Sequence, residues 1–334
     1  MVRVVLQRLA LLIPTLFGLS ILLFLWVRAL PGGPATALLG ERATPAAVAR
    51  INALYGFDKP LIQQYLAWIG QLLKGNFGAS TRTGVPVLEE FIQRFPATIE
   101  LTIVALLIAV GIGIPLGYVA ARHHGGLIDQ GTVVASLVGI TIPVFFLAFL
   151  LKFVFAVQLG WFPSSGRQDP GMIATHPTGF YVLDGLLTRE WDASWDALLH
   201  LVLPAIALGS IPLAIIARIT RASVIEVQNA DYVRTARAKG LKPPRLRRRV
   251  VLRNAMLPVA TTIGLQVGLL LSGAVLTETV FAFNGIGSFL ANAVFNLDYA
   301  VLQGFVLFIA VVYALVNLAV DVSYGLIDPR LRVR

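Results

Sequence analysis

RITRASVIEVQNADYVRTARAKGLKPPRLRRRVVLRNAMLP, Arg218 to Pro258, is the one long polar interruption in the otherwise apolar second half of a 334-residue chain. It carries Arg218, Arg221, Arg234, Arg237, Lys239, Lys242, Arg245, Arg247, Arg248, Arg249 and Arg253. Against these cations stand only Glu226 and Asp231. Between two apolar runs such a segment faces the cytoplasm, because Lys and Arg close to span ends set orientation and resist translocation. Each cation near an anionic leaflet adds roughly 1 kcal/mol of attraction, falling off within a Debye length.

The middle of this stretch, Asn229 to Pro244, predicts a short helix. Asp231 caps its start, Ala236 and Ala238 favour it, Gly240 ends it, and Pro243 and Pro244 stop it. On that helix Tyr232, Ala236 and the stem of Lys239 share one face, as do Val233, Ala236 and Gly240. A small, weakly apolar face of this kind suits a knob laid in the groove of another protein. Charge alone favours the plainer reading, a solvated loop that fixes orientation.

Composition sets the class. Hydrophobic residues make up 57% and charged residues 13%, against about 25% charged in soluble domains, so the chain is an all-α integral membrane protein. Its net charge of +10 lies mostly in loops on one side, which reads as membrane topology and not as nucleic-acid binding. With no cysteine, disulfides, thiolate chemistry and Cys-based metal sites are excluded.

Six spans follow from the apolar runs: Leu9 to Leu30, Thr98 to Ala121, Gly131 to about Leu151, Leu198 to Ala217, Ala255 to about Thr277, and Val301 to Tyr324. Both termini then lie inside, with Pro31 outside and the RLRVR tail returning to the cytoplasm. The organisation expected is an amino-terminal tail and first span over 1–30, an extracytoplasmic segment over 31–97, and a five-span core over 98–334 holding the basic loop 218–254. In the 31–97 segment the Leu61, Tyr65, Trp68, Leu72 spacing predicts a helix packed on the membrane surface or on a neighbouring subunit. Gly111, Gly113, Pro115 and Gly117 in the second span permit close helix contact. Pro143 sits in the third span, and Lys152 at its end is expected to snorkel, since lysine at a bilayer centre costs roughly 2.5–3.5 kcal/mol. The loop Phe162 to Ala197 is acidic, and its Trp191 and Trp195 fit an interfacial hairpin. Pro204 and Pro212 break the fourth span and are candidate flexure points, with ordinary membrane prolines an equal alternative.

Several chemistries lack their residues. Glu89 and Glu90 are adjacent and so diverge on a helix. His123 and His124 do likewise and make poor shared metal ligands, so no metal site is expected. No run matches the G-x-x-x-x-G-K-[ST] phosphate cradle. No series of intramembrane carboxylates marks an ion-coupled pump, since Glu278 and Asp321 sit near span ends. What remains is a helical pathway energised from elsewhere through a docking helix.

DYVRTARAKGL followed by VLRNAMLP resembles the cytoplasmic loop in membrane subunits of bacterial ABC importers, specifically the dipeptide, oligopeptide and nickel permease family. The resemblance runs almost end to end, through QRLALLIPTLFGLSILLF, LYGFDKPLIQQYLAWI, PATIELT, GWFPSSG, HLVLPAIALG, SGAVLTETVFAFNGIG, DYAVLQG and DVSYGLIDPRLR. It implies the methionine-importer-like permease fold in a bacterial inner membrane. It also implies a second homologous permease, one or two cytoplasmic ATPases holding ATP and Mg, an extracytoplasmic binding protein, and no cofactor in this chain. Asp231, Tyr232, Arg234, Thr235, Ala236, Ala238, Lys239 and Gly240 would then contact or position the ATPase. Where the wider importer family has Glu-Ala-Ala this chain reads Arg234, Thr235, Ala236, as the peptide branch does.

Three positions depart from the family pattern: Gly32-Gly33-Pro34 where Gly-Asp-Pro is usual, Asn76 in place of an acidic residue, and Asn284 in place of a proline before Gly285. They bear on binding-protein and substrate detail. Relatives carry peptides, nickel chelates, glutathione or oligosaccharides. Two other classes stay open: a gradient-driven secondary transporter working through a buried group such as Asp321, and a membrane enzyme, for which His176 and His200 are isolated.

Overall fold

The computed structural model describes residues 2–29, 33–40 and 43–327. Pro31, Gly32 and the RLRVR tail lie outside the described residues, as does the Asp321 side chain. The α-helices are α1 (Val2–Arg28), α2 (Gly33–Leu39), α3 (Pro45–Tyr55), α4 (Leu61–Leu73), α5 (Val87–Arg122), α6 (Leu127–Thr141), α7 (Val144–Leu151), α8 (Tyr181–Leu187), α9 (Trp191–Gln228), α10 (Asp231–Ala238), α11 (Pro243–Arg245), α12 (Arg253–Val280), α13 (Ile286–Phe295) and α14 (Tyr299–Ile327). Wider π-helical turns occupy Lys152–Gln158 and Leu246–Leu252.

Five stretches are long and apolar enough to cross a bilayer: Ala10–Arg28, Val87–Arg122, Trp191–Gln228, Pro243–Leu271 and Tyr299–Ala319. The span expected over 131–151 is broken instead: Leu127–Thr141 and Val144–Gln158 meet at 101°. Pro143 is the cause, because it lacks an N–H and forces its predecessor out of the helical region; Ile142 is accordingly extended, with ψ 124°. The Lys152 ammonium donates to the carbonyl of Val280, the last residue of α12, at 2.8 Å.

The described residues divide into two compact units, 97–284 with 316–327, and those within 2–96 with 285–315. In the first, α5 and α9 approach almost backbone to backbone. A Cβ on Gly117 would lie 2.3 Å from the Ala217 carbonyl oxygen, one on Gly113 3.0 Å from that of Leu213, and one on Gly209 2.8 Å from that of Ala105. Around this crossing Leu101, Ala105, Leu201, Ala205, Leu208, Leu270 and Ala274 form a buried core from α5, α9 and α12. Glu278, fully buried in α12, accepts a hydrogen bond from Thr98 of α5 at 2.5 Å.

The 162–190 loop of the same unit is a folded cap. Arg167 donates to the Glu100 carboxylate at 2.8 Å and to the Gly179 carbonyl at 2.7 Å, and its guanidinium lies 3.8 Å from the Tyr181 ring centroid. Glu100 also accepts from the Val182 amide. Buried Asp184 is held by Thr178 and the Gly179 amide. His176 stacks on Tyr181 with centroids 3.6 Å apart and bonds Gln168 through Nε2 at 2.9 Å. Burial pushes the His176 pKa down, against the pull of nearby Asp184. Bonds from Thr175, first from its amide, hold Glu190 below its ordinary value.

In the second unit α4 lies against α1. Tyr65 shares a 2.7 Å hydrogen bond with Ser20, and Tyr65 and Trp68 pack on Phe24, while Leu61 stays exposed. Phe77, Phe91, Phe305 and Phe308 build the core. Buried Asp298 accepts from Ser80 at 2.6 Å and from the Thr81 amide. Glu89 and Glu90 diverge as expected: Glu90 is buried on Arg94 and Thr83, Glu89 exposed.

Two outcomes follow. Gly117→Ala should destabilise the purified protein by about 1–3 kcal/mol through overpacking, whereas Gly111→Ala, with nothing within 4 Å, should leave its thermal unfolding unchanged. Second, because His176 titrates below its unfolded value of about 6.5, the unfolded chain binds the extra proton first. Its contribution is complete above that pH and is lost as pH falls through it. Thermal unfolding followed from pH 7.5 to pH 5.5 (about one unit on either side of that value) should show declining stability, and His176→Phe, which keeps the stack, should flatten the decline.

Candidate functional site

α9 ends at Gln228, and α10 begins after two intervening residues, the second of them the extended Ala230. Ala230, not Asp231, holds the cap position, and no side chain caps the helix. Asp231 sits in the first turn, where its carboxylate complements the partial positive charge of the helix N-terminus. Its 3.6 Å pair with Arg234 is fully solvated and adds little. The far end closes as the sequence indicates. The Leu241 amide donates to Ala236 and the Gly240 amide to Arg237, at 3.2 and 3.0 Å, the paired bonds of a Schellman motif. Gly240 has φ 81°; a Cβ there meets nothing, so the glycine answers to backbone conformation and not to space.

The helix is anchored by a residue that sequence reasoning did not put among the site residues. Val233, 1% exposed, packs with Ala121 of α5, Val224 of α9, Leu246 and Val251 of the π-helical turn, and Ala255 of α12. Its signal in the sequence is modest: it is the one β-branched apolar side chain in DYVRTARAKG. Anchoring turns the Val233–Ala236 face inward, so of the two faces expected to be available this one is taken by the chain itself, with Ala236 half-buried.

The other seven predicted residues, Asp231, Tyr232, Arg234, Thr235, Ala238, Lys239 and Gly240, are all exposed, Tyr232 at 47%. Thr235 and Ala238 form a low centre, with Tyr232 and Lys239 on one flank and Arg234 on the other. Short side chains flanked by an aromatic ring and cations allow close approach by a partner groove with acidic or carbonyl edges.

Ahead of α10, a polar contact joins α9 to α6. Arg221 of α9 forms a charge-assisted pair with buried Asp129 at the start of α6. Asp129 also accepts from the Gly125 amide at 2.9 Å and contacts His124 Nδ1 at 3.0 Å. Arg221 therefore has a structural partner, beyond the topological role read from the sequence. Arg245, Arg247, Arg248, Arg249 and Arg253 remain exposed, while Leu246 and Val251 between them turn inward. Pro204 and Pro212 are buried within α9, which runs unbroken through both. His200 bonds the Asp196 carbonyl one turn back, and His176 is held within the cap. Among the described residues no group of three His, Asp or Glu side chains is placed to hold a metal ion.

Residues 113–333 match the family described as binding-protein-dependent transport system inner membrane component, and residues 1–102 match its companion amino-terminal family. The di/tripeptide transport system permease protein DppB of Pseudomonas aeruginosa (strain UCBPP-PA14) is 47% identical over 333 residues, 99% of each chain. The dipeptide permease proteins of Alkalihalophilus pseudofirmus and Escherichia coli K12 are 42% and 44% identical, each over 99% of this chain and 100% and 99% of their own. A solved amino acid ABC transporter crystallised with histidines aligns with 73% of this chain and 94% of its own, at 17% identity and a TM-score of 0.48. On the family matches and these near-complete alignments, the chain is a multi-pass membrane permease belonging to the binding-protein-dependent transport system inner membrane component family.

Proposed function

We propose that this chain is one of two homologous pore-forming subunits of an ATP-binding-cassette importer for di- or oligopeptides. The observation that carries this reading is the 42–47% identity, over essentially the whole chain, to permeases named for dipeptide and di/tripeptide transport. In it, one or two cytoplasmic ATPases hold ATP and Mg²⁺, and an extracytoplasmic binding protein delivers the peptide. The permease itself hydrolyses nothing, and both its termini face the cytoplasm with the basic loop.

The ATPase seats α10 by its exposed side. Thr235 and Ala238 enter a groove, Tyr232, Arg234 and Lys239 contact its walls, Asp231 and Gly240 set the ends of the helix, and half-buried Ala236 lies at the margin. Val233 supports this reading, since a helix fixed to α5, α9 and α12 passes a push directly to the spans. ATP-driven closure of the ATPases then favours one of two access states by its differential affinity for them. Pro204 and Pro212 serve as flexure points in α9, because each removes one helical hydrogen bond from the residue four before it.

Thr235→Trp and Ala238→Trp change only exposed positions. Each should leave membrane insertion intact while lowering both co-purification with the ATPase and peptide uptake at least ~10-fold, a loss of about 1.4 kcal/mol of docking. Undiminished uptake by both variants would remove α10 as the docking element. A gentle detergent pull-down of the chain should recover a second six-span subunit and vanadate-sensitive ATPase, and recovery of a lone chain or homodimer would exclude the importer.

A further inference from the structure

The exposed side of α4 is neither a solvated loop surface nor part of the transport machinery described above. Its thirteen residues, LIQQYLAWIGQLL, contain no charged side chain and are bracketed by exposed Lys59 and Lys74. Its surface divides into three sectors. Tyr65 and Trp68 turn toward α1, packing on Phe24 at 5.2 and 5.8 Å. Gln63, Ala67 and Gln71 form an exposed polar sector, and between the two lies an apolar stripe in which Ile62, Leu66 and Leu73 are 75%, 63% and 84% exposed.

Contacts with α1 fix the depth of this stripe. Tyr65 bonds Ser20 and meets Phe17 edge-on at 6.2 Å, and all of Phe17, Ser20 and Phe24 lie inside the apolar span Ala10–Arg28. Arg28, at the end of that span, folds back over the Phe24 ring at 3.4 Å and donates to Gln64 at 2.8 Å. At 1.5 Å per residue, Ser20 lies about 12 Å below Arg28 along the helix. α4 is therefore held beside the last turns of a membrane span, not above them. On the same turns of α1, Leu22, Leu25 and Trp26 are exposed as well, so this end of the apolar span also presents apolar surface at the level where α4 is held.

We propose that α4 is a half-sunk interfacial helix whose Ile62–Leu66–Leu73 stripe is covered by lipid acyl chains of the leaflet at the Arg28 end of α1. The Gln63–Gln71 sector faces water, and the lysines at its two ends reach the headgroups. Acyl chains are favoured over a second protein subunit because the stripe is bounded by a glutamine sector and two cations, the charge pattern of a helix at a headgroup boundary.

The chain has no cysteine, so a single introduced cysteine is the one labelling site on this subunit, and the labelled chain is studied in the full transporter, with partner cysteines replaced, in lipid nanodiscs. Ile62→Cys, Leu66→Cys, Leu73→Cys, Gln63→Cys and Gln71→Cys are all at exposed positions, with Leu25→Cys on α1 as the reference for lipid contact. The expected result is an oxygen-to-nickel-chelate collision ratio several-fold higher at 62, 66 and 73 than at 63 and 71, approaching that at 25. Equal, water-like ratios at all five positions would overturn the proposal by placing α4 in the aqueous phase. Protection of 62, 66 and 73 from both reagents would overturn it by showing a protein covering the stripe.

Discussion

At Gly113 and Gly117 of α5 and Gly209 of α9, two helix backbones meet with no side chain between them. Inside a bilayer, lipid tails are as apolar as leucine, so spans gain nothing from hiding hydrophobic surface and associate by close packing and polar contacts. The glycine crossing supplies that packing, and the α5–α9–α12 core is arranged around it. Adding a methyl group at Gly117 would place it well inside contact distance of a carbonyl that cannot move without bending α9.

Polar groups complete the association by pairing buried charges across segments. Arg221 meets Asp129, Arg167 meets Glu100, Glu278 accepts from Thr98, and Lys152 finds a carbonyl at the end of α12. Each of these contacts joins segments far apart in sequence. Removing one partner leaves the other buried without its counterpart, which makes such pairs demanding on geometry. The unit containing α1 and α4 follows the same rule on a smaller scale, with Asp298 satisfied by Ser80 and the Thr81 amide.

Long apolar runs made the spans legible, because a helix needs about twenty such residues to cross. The helical end signal at Gly240 was equally clear, since a left-handed residue at a helix C-terminus favours glycine for local reasons. Pro143 announced a disturbance but not its 101° size, which depends on what Val144–Gln158 packs against. Val233 was harder to single out: its burial depends on a cluster that also draws in Ala121 of α5, which is far from it in sequence. The 162–190 cap was the least legible. Glu100 and Arg167 are 67 residues apart, and nothing local marks a carboxylate in one span as the partner of an arginine in a loop.

α9 has thirty-eight residues, about 57 Å at the usual rise, and so extends well beyond a hydrocarbon layer of about 30 Å. One end is seated in the 162–190 cap, where Gly185 lies against Ser194, and the other carries Val224 into the cluster that anchors α10. It is therefore a lever with an attachment at each end. A tilt of about 10° around the midpoint of such a rod carries each tip roughly 5 Å in opposite directions, close to one helical turn. Under the proposed docking of α10, the length of α9, more than any single contact, would set how far a movement at one end displaces the other.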